Sequence, residues 1–360
     1  MLSEIGSNFW LSPKDIMGDD DMPAPEIFNC KGDDYVWLST CRSATSLVIN
    51  TIEERNSKVN KVVCLPAFTC HTVFEPFIHA GYKVITFPLG LNLLSDKQEI
   101  LNVIKEKKVG VVLFHRYFGF ETLPGIDSIV NQLHDLGVVV IEDCTQSMYS
   151  NINRMDADYY VGSIRKWCGV PDGGYAVCKK GKFKEKTSLF DIDLETAKRE
   201  ASEMKYKYLF CKIGDKDNFL SRYREAENIL ENQTKFYSIS PLSIKVQTAL
   251  DIKWMKEKRR ENYKTLLNGL QNIDAFIPIF NEIEDYVVPL YFPILCNERK
   301  NIQRILAENS IYAPVVWPKD ESCPFVCKEA DYIYNHILCI PIDQRYGVDD
   351  MERIISVLVN

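Results

Sequence analysis

Nowhere does the 360-residue chain hold an apolar run approaching the roughly 18 residues that a membrane-spanning helix needs, so no membrane segment is expected. Nor is there a surplus of positive charge. Lysine and arginine number 43 against 50 aspartates and glutamates, and the net charge of -7 speaks against a protein that grips a nucleic-acid backbone. No CxxC occurs among the 12 cysteines. Cys323 and Cys327 form only a CxxxC, and no nearby histidine completes a zinc set, so no metal is expected. Most other cysteines sit inside apolar runs (Cys64 in KVVCLP, Cys178 in YAVCKK, Cys339 in ILCIP), where a thiol packs as a small hydrophobe. That usage points to a reducing, cytoplasmic compartment. The first residues, Met1–Gly18, mix Glu4, Lys14 and Asp15 with short apolar pairs, unlike a secretory signal peptide. Internal repeats, low-complexity tracts and long linkers are missing too. What remains is an ordinary globular composition, long enough for about two domains.

From about residue 34 to 180, short β-rich runs alternate with helical patterns. Strands are expected at Tyr35–Ser39, Lys61–Leu65, Lys83–Phe87, Val109–Phe114, Gly137–Glu142 and Asp158–Gly162. Helices are expected at Ser43–Glu54, Thr72–Ala80, Ser95–Lys107 and Ile126–Leu136. Alternation with strands as apolar as GVVVIE implies a mostly parallel sheet covered by helices. Ligands of such sheets gather at the carboxyl ends of the strands. The charged stretch Gly181–Lys235 is helix-prone, and Ser243–Leu270 carries a long helical pattern. Beyond it, Val287–Leu295, Ala313–Val316 and Ile337–Ile340 read as strands and Asp349–Val359 as a closing helix. The chain therefore divides into a large α/β domain, residues 1–235 with an N-terminal arm, and a small α+β domain, residues 236–360.

Three segments carry chemistry together. Asp143 ends the apolar strand in Ile141-Glu142-Asp143-Cys144-Thr145-Gln146; by itself it fits a helix N-cap equally well. Lys166 lies in Ser163-Ile164-Arg165-Lys166-Trp167, and Pro171-Asp172-Gly173-Gly174-Tyr175 is a turn into a strand. In that order they match the needs of a pyridoxal-phosphate site: a lysine amine for the aldehyde, an acid for the pyridine nitrogen, and donors for the phosphate. Asp143 would keep the pyridinium protonated, and Gln146 would meet the ring hydroxyl oxygen. Ser163 and Arg165 would grip the phosphate, and Lys166 would hold the cofactor and shuttle the proton at the substrate's Cα.

Residues from about 30 to 360 resemble the DegT/DnrJ/StrS nucleotide-sugar aminotransferases, within the fold type I pyridoxal-phosphate enzymes. The matching pieces are Leu65-Pro66-Ala67-Phe68-Thr69, Tyr117-Phe118-Gly119, the EDxxQ at Glu142–Gln146, the SxRK at Ser163–Lys166 and the DGG at Asp172–Gly174. Arg259-Arg260-Glu261-Asn262-Tyr263 and Ile340-Pro341 follow in order. The resemblance implies a homodimer that moves an amino group from an amino acid such as glutamate to a nucleotide-linked keto-sugar. It places that reaction in surface-polysaccharide or secondary-metabolite biosynthesis, with the active site between the two domains. It also implies that Asp143 meets the pyridine nitrogen, Gln146 the ring oxygen, Ser163 the phosphate and Lys166 the aldehyde.

The departures are specific. Ser163 stands three residues before the lysine where most relatives have five, a spacing nearer the SxHK of cysteine desulfurases, with Arg165 in place of the histidine. Cys41-Arg42-Ser43-Ala44 replaces the family's GTxAL loop, so phosphate would meet helix-start amides; Arg42 either joins them or is an exposed helix-end charge. Cys70 holds the place of the stacking aromatic, and His71 either stacks instead or is an ordinary half-buried histidine. Phe68 reads as core. The family's HxYG histidine aligns with Arg116, with His115 one place early. Arg345 and Tyr117 are candidates for substrate contact; Arg345 either takes a substrate carboxylate or makes a surface ion pair. Arg259 and Arg260 read as a solvated or interface face. The competing readings are another pyridoxal-phosphate reaction (elimination, decarboxylation or C–S cleavage) and a binding protein without turnover.

Overall fold

The structure is a computed structural model and describes residues 4–271, 273, 275–320 and 327–359. Cys323 of the CxxxC lies outside the described residues, whereas Cys327 is described and half-buried. The first elements are β1 (Ile5–Gly6), β2 (Asp34–Leu38), α1 (Cys41–Arg55), β3 (Val62–Pro66), α2 (His71–His79) and β4 (Lys83–Phe87). Next come α3 (Lys97–Lys107), β5 (Val111–His115), α4 (Asp127–Asp135), β6 (Val139–Asp143), β7 (Tyr159–Ser163) and β8 (Gly174–Cys178). Four helices follow: α5 (Ile192–Tyr206), α6 (Lys216–Glu231), α7 (Pro241–Ala249) and α8 (Ile252–Gly269). The chain closes with β9 (Phe276–Pro278), β10 (Phe292–Cys296), α9 (Arg299–Glu308), β11 (Ile311–Tyr312), α10 (Lys328–His336), β12 (Ile337–Ile340) and α11 (Val348–Val359).

These elements form two compact units. The larger comprises the described residues within Met1–Ser7, Ile52–Tyr159 and Ile252–Asn360; the smaller is Asn8–Thr51 with Tyr160–Asp251. In the larger unit the strand order β6–β5–β3–β4 is parallel throughout, with Val111 opposite Val139 and His115 opposite Asp143. All five residues of β5 are buried, as expected for a strand covered on both faces. The parallel pairing turns the carboxyl ends of β3, β5 and β6 the same way, which gathers Pro66, His115 and Asp143 at one edge. A second sheet in this unit, β12–β10–β9, is antiparallel, and β1 pairs in parallel with β11. The smaller unit has the order β2–β8–β7, with β2 antiparallel to β8. Its helices start on side-chain caps: Asp191 accepts from Leu194 N–H, Asp215 from Asp217 N–H and Ser240 from Ser243 N–H.

Several elements differ from the sequence reading. The single helical pattern Ser243–Leu270 is two helices, α7 and α8, because Leu250 is extended (φ -69°, ψ 117°) and ends the first. The α7 start falls earlier, where Ser240 caps and Pro241 takes the first helical position. Of Val287–Leu295 only Phe292 onward is strand, since Pro289 has no N–H for a ladder. Residues 313–316 are not strand; pairing occurs just before, at Ile311–Tyr312, and Pro314 cannot extend it. Among the described residues no helix is long and apolar enough to cross a membrane.

Candidate active site

In the larger unit, Asp143 is buried at the end of β6, and its Oδ1 accepts the Thr145 N–H at 2.8 Å. No helix follows; residues 145–149 are turns, so the aspartate caps a turn rather than a helix. Burial pushes its carboxyl above the ordinary value, with Glu142 adding to the rise and the Thr145 hydrogen bonds opposing it. Gln146 is buried nearby in sequence, and its Oε1 accepts the Phe118 N–H at 2.7 Å. That bond ties the EDxxQ turn to the Tyr117-Phe118-Gly119 turn. The glycine there is required: its φ is +95°, and a Cβ would lie 2.1 Å from the Val288 carbonyl oxygen.

An aromatic wall surrounds the segment after β3. Phe68 stacks on Tyr117 at 5.7 Å and meets Trp317 at 5.2 Å and Tyr334 at 4.7 Å. The Tyr117 hydroxyl donates to the Phe68 carbonyl, and the Tyr334 hydroxyl bridges the N–H and C=O of Thr69. Phe68 is thus core, as expected. His115 is buried, with Nε2 3.2 Å from Thr69 Oγ1 and Nδ1 without a partner among the described residues. Burial holds its ring down at about 3, so it folds neutral. The unfolded chain takes a proton near 6.5. Stability from this group is therefore complete above 6.5 and is lost as pH falls toward about 3. His115→Gln should flatten the acid limb of the stability–pH curve in that window, measured by urea melts; an unchanged slope would remove the neutral-ring assignment.

Cys70 is the N-cap position of α2 and His71 its first residue, both half-buried. The His71 ring meets the edge of Phe74 at 5.3 Å. Arg116, aligned with a family histidine, instead enters a buried ion-pair network with Glu142, Glu121 and Arg154. Arg345 turns its guanidinium onto Asp343 (Nε at 2.7 Å, Nη2 at 2.9 Å) and reaches the Ser7 carbonyl at 3.1 Å. Burial alone would raise Asp343, yet Arg345 and Arg259 hold it below the ordinary value. Arg259 corrects the reading of a solvated face. It is 1% exposed and donates to Gln344 Oε1 and the Leu290 carbonyl, each at 3.0 Å, because those acceptors need a buried donor.

In the smaller unit the residues around Lys166 form a closed turn. Lys166 ends the short 3-10 helix Ile164–Lys166 and is exposed. The Ile164 N–H donates to the Gly173 carbonyl at 3.0 Å, Ser163 Oγ to the same oxygen at 3.2 Å, and the Gly173 N–H to the Ser39 carbonyl at 2.7 Å. Gly174 allows the α1 start to approach: a Cβ there would lie 2.2 Å from the Thr40 carbonyl carbon. Cys41, Arg42 and Ser43 open α1 half-buried, and Thr40 Oγ1 caps it by accepting the Ser43 N–H at 2.9 Å. Both arginines reach α6. Arg42 Nη2 donates to the Leu230 carbonyl at 2.7 Å, and Arg165 Nη2 to Glu227 Oε1 at 3.3 Å. Asp172 is fully buried, accepts from Ser240 and Ser243, and leaves Oδ2 without a partner among the described residues; burial raises it to about 6. Thr40, Tyr334, Lys198 and Glu227 were not singled out from sequence, and Thr69 was named only within the Leu65–Thr69 match. Of these only Lys198 carried a local signal, a lysine on the apolar face of α5.

No family model matches the sequence, and no curated protein does. Solved structures do share the fold. PseC of Helicobacter pylori, an aminotransferase involved in pseudoaminic acid biosynthesis, is 13% identical, with 99% of this chain and 98% of that chain covered and a TM-score of 0.70. The sugar aminotransferase CalS13 of Micromonospora echinospora is 15% identical over 90% of this chain and 86% of that one, with a TM-score of 0.64. A DegT DnrJ EryC1 StrS aminotransferase from Brucella abortus is 15% identical over 98% and 91%, again at 0.64. At such identities the likeness establishes the fold over nearly the whole chain, and the α/β, mostly parallel architecture expected from sequence is the one found.

Proposed function

We propose that this chain is a pyridoxal-phosphate-dependent aminotransferase that takes an amino group from an amino acid such as glutamate and gives it to a nucleotide-linked keto-sugar. The observation that carries the reading is Asp143. A carboxyl buried at the end of a parallel strand and pushed up by its surroundings is a group in want of a cation, and a protonated pyridine nitrogen is that cation. In this reading Gln146 would take the ring oxygen, Ser163, Arg165 and the Cys41–Ser43 helix start the phosphate, and Cys70 or His71 would stand beside the ring.

When bound, the cofactor supplies an electron sink for charge developing at the substrate's Cα. Asp143 keeps the pyridine nitrogen protonated. Lys166 would hold the cofactor through its amine and would hold and move the proton at the substrate's Cα. Substrate contact by Arg345 and Tyr117 requires them to exchange the bonds they now make to Asp343 and to the Phe68 carbonyl. A homodimer in the cytoplasm is the setting this reading supposes.

Adding pyridoxal phosphate to the purified protein should produce visible absorbance, and borohydride should fix a covalent adduct that peptide mapping places on Lys166. Glutamate should then shift the spectrum to the amine form of the cofactor. No adduct at Lys166 would sink the proposal. An adduct that no amino donor converts would favour elimination, decarboxylation or C–S cleavage, the alternative that the Ser163–Lys166 spacing supports.

A further inference from the structure

Lys198 stands where α5 should carry an apolar side chain. The inward face of that helix reads Leu194, Ala197, Lys198, Ala201, Ser202 and Lys205, all buried, and Lys198 is 7% exposed. Lysines almost never sit so deep unless paired. The Lys198 ammonium meets the Glu227 carboxylate on α6 and lies over the ring of Tyr223 at 5.6 Å. The same Glu227 oxygen accepts from Arg165, the residue before Lys166. Arg165, Lys166, Lys198 and Glu227 act on one another electrostatically. Burial and then Arg165 bring Lys198 down to about 8, while the half-exposed Glu227 is held below its ordinary value by the surrounding cations. Three cations and one carboxylate leave the cluster with a formal excess of positive charge.

We infer that Lys198 and Glu227 are positioning residues for Lys166: the pair anchors the Ile164–Lys166 turn through Arg165 and sets the positive charge around the lysine amine. The inference rests on the reading of Lys166 as the working amine. Positive charge nearby favours the neutral, nucleophilic form of an amine, and a carboxylate tempers it. The hairpin of α5 and α6 thereby supplies what no motif around Lys166 contains: one buried cation and one counter-charge, each adjustable by a single substitution.

The two substitutions should therefore move Lys166 in opposite directions, which loss of a merely structural ion pair would not do. The cofactor-free protein is treated near neutral pH with limiting acetic anhydride, and acetylation of Lys166 is followed by mass spectrometry against exposed Lys107 as internal reference. Glu227→Gln should raise the relative rate about threefold, and Lys198→Met should lower it about threefold. Lys198→Arg should restore the parent rate. Changes in the same direction, or no change in proteins that melt like the parent, would overturn the inference. If Lys198→Met does not fold, Glu227→Gln decides alone: a rise supports the inference and a fall or no change refutes it. Opposed shifts with no pyridoxal-phosphate adduct would sink the proposed function while leaving the charge cluster standing.

Discussion

Lys166→Ala protein is expected to give no borohydride-fixed adduct and to transfer amino groups about 10²–10⁴-fold more slowly than the parent, the range associated with removing a positioned general acid–base group. The structure makes this a clean experiment. Lys166 is exposed at the end of a 3-10 turn whose shape is held by others: Ile164 and Ser163 bond the Gly173 carbonyl, and Gly173 bonds Ser39. Truncating an exposed side chain there removes no core packing, so the melting curve should stay within about 1 kcal/mol of the parent. Chemistry and folding are thereby read separately. Added methylamine should recover part of the rate, because a free amine can take the proton at Cα without being tethered. Full activity in the variant, or an adduct on a different lysine, would end the role given to Lys166.

The sheet was legible in the sequence because its signal is local. Lys83–Phe87 and Ile337–Ile340 were bounded to the residue, and runs such as GVVVIE reveal a strand buried on both faces without any knowledge of its neighbours. Two- and three-residue strands such as Ile5–Gly6 and Phe276–Pro278 are too short to show a period, and they exist because a distant partner is there. The same distinction runs through the candidate site. Asp143, Gln146, Ser163 and Lys166 stand out by spacing along a few residues. Arg259 misleads because it sits in a charged run, Lys-Arg-Arg-Glu, and its burial is decided by acceptors at Leu290 and Gln344. Arg42 and Arg165 read as phosphate-gripping or exposed; that both reach the end of α6 follows from packing of a charged segment whose own pattern shows only helix.

Glu142, beside Asp143, is expected to matter more to folding than any residue of the candidate site. Its Oε1 accepts from Arg116 and, at 3.3 Å, from Arg154, while Oε2 accepts the Met155 N–H at 3.0 Å. The side chains of Arg116, Glu142 and Arg154 are 2%, 1% and 3% exposed. Burial by itself would lower Arg116, yet Glu142 and Glu121 hold it above its ordinary value. Glu142→Ala leaves two buried guanidiniums short of their shared anion, a loss of about 3–5 kcal/mol against a total stability of roughly 5–15 kcal/mol. Thermal melts should show it as a large fall in midpoint. The pair should also be strongly non-additive: Arg116→Met with Glu142→Leu should cost less than Glu142→Ala, since one buried guanidinium, Arg154, rather than two is then left short of the anion. Additive effects, or a Glu142→Ala protein as stable as the parent, would refute the network. The loss should reach the site as well. Arg154 also donates to Ser147 Oγ at 2.8 Å and to the Ser147 carbonyl at 3.1 Å, so the anion that fixes Arg154 fixes the turn carrying Gln146. A folded Glu142 variant should therefore bind pyridoxal phosphate more weakly, through the loosened Gln146 turn.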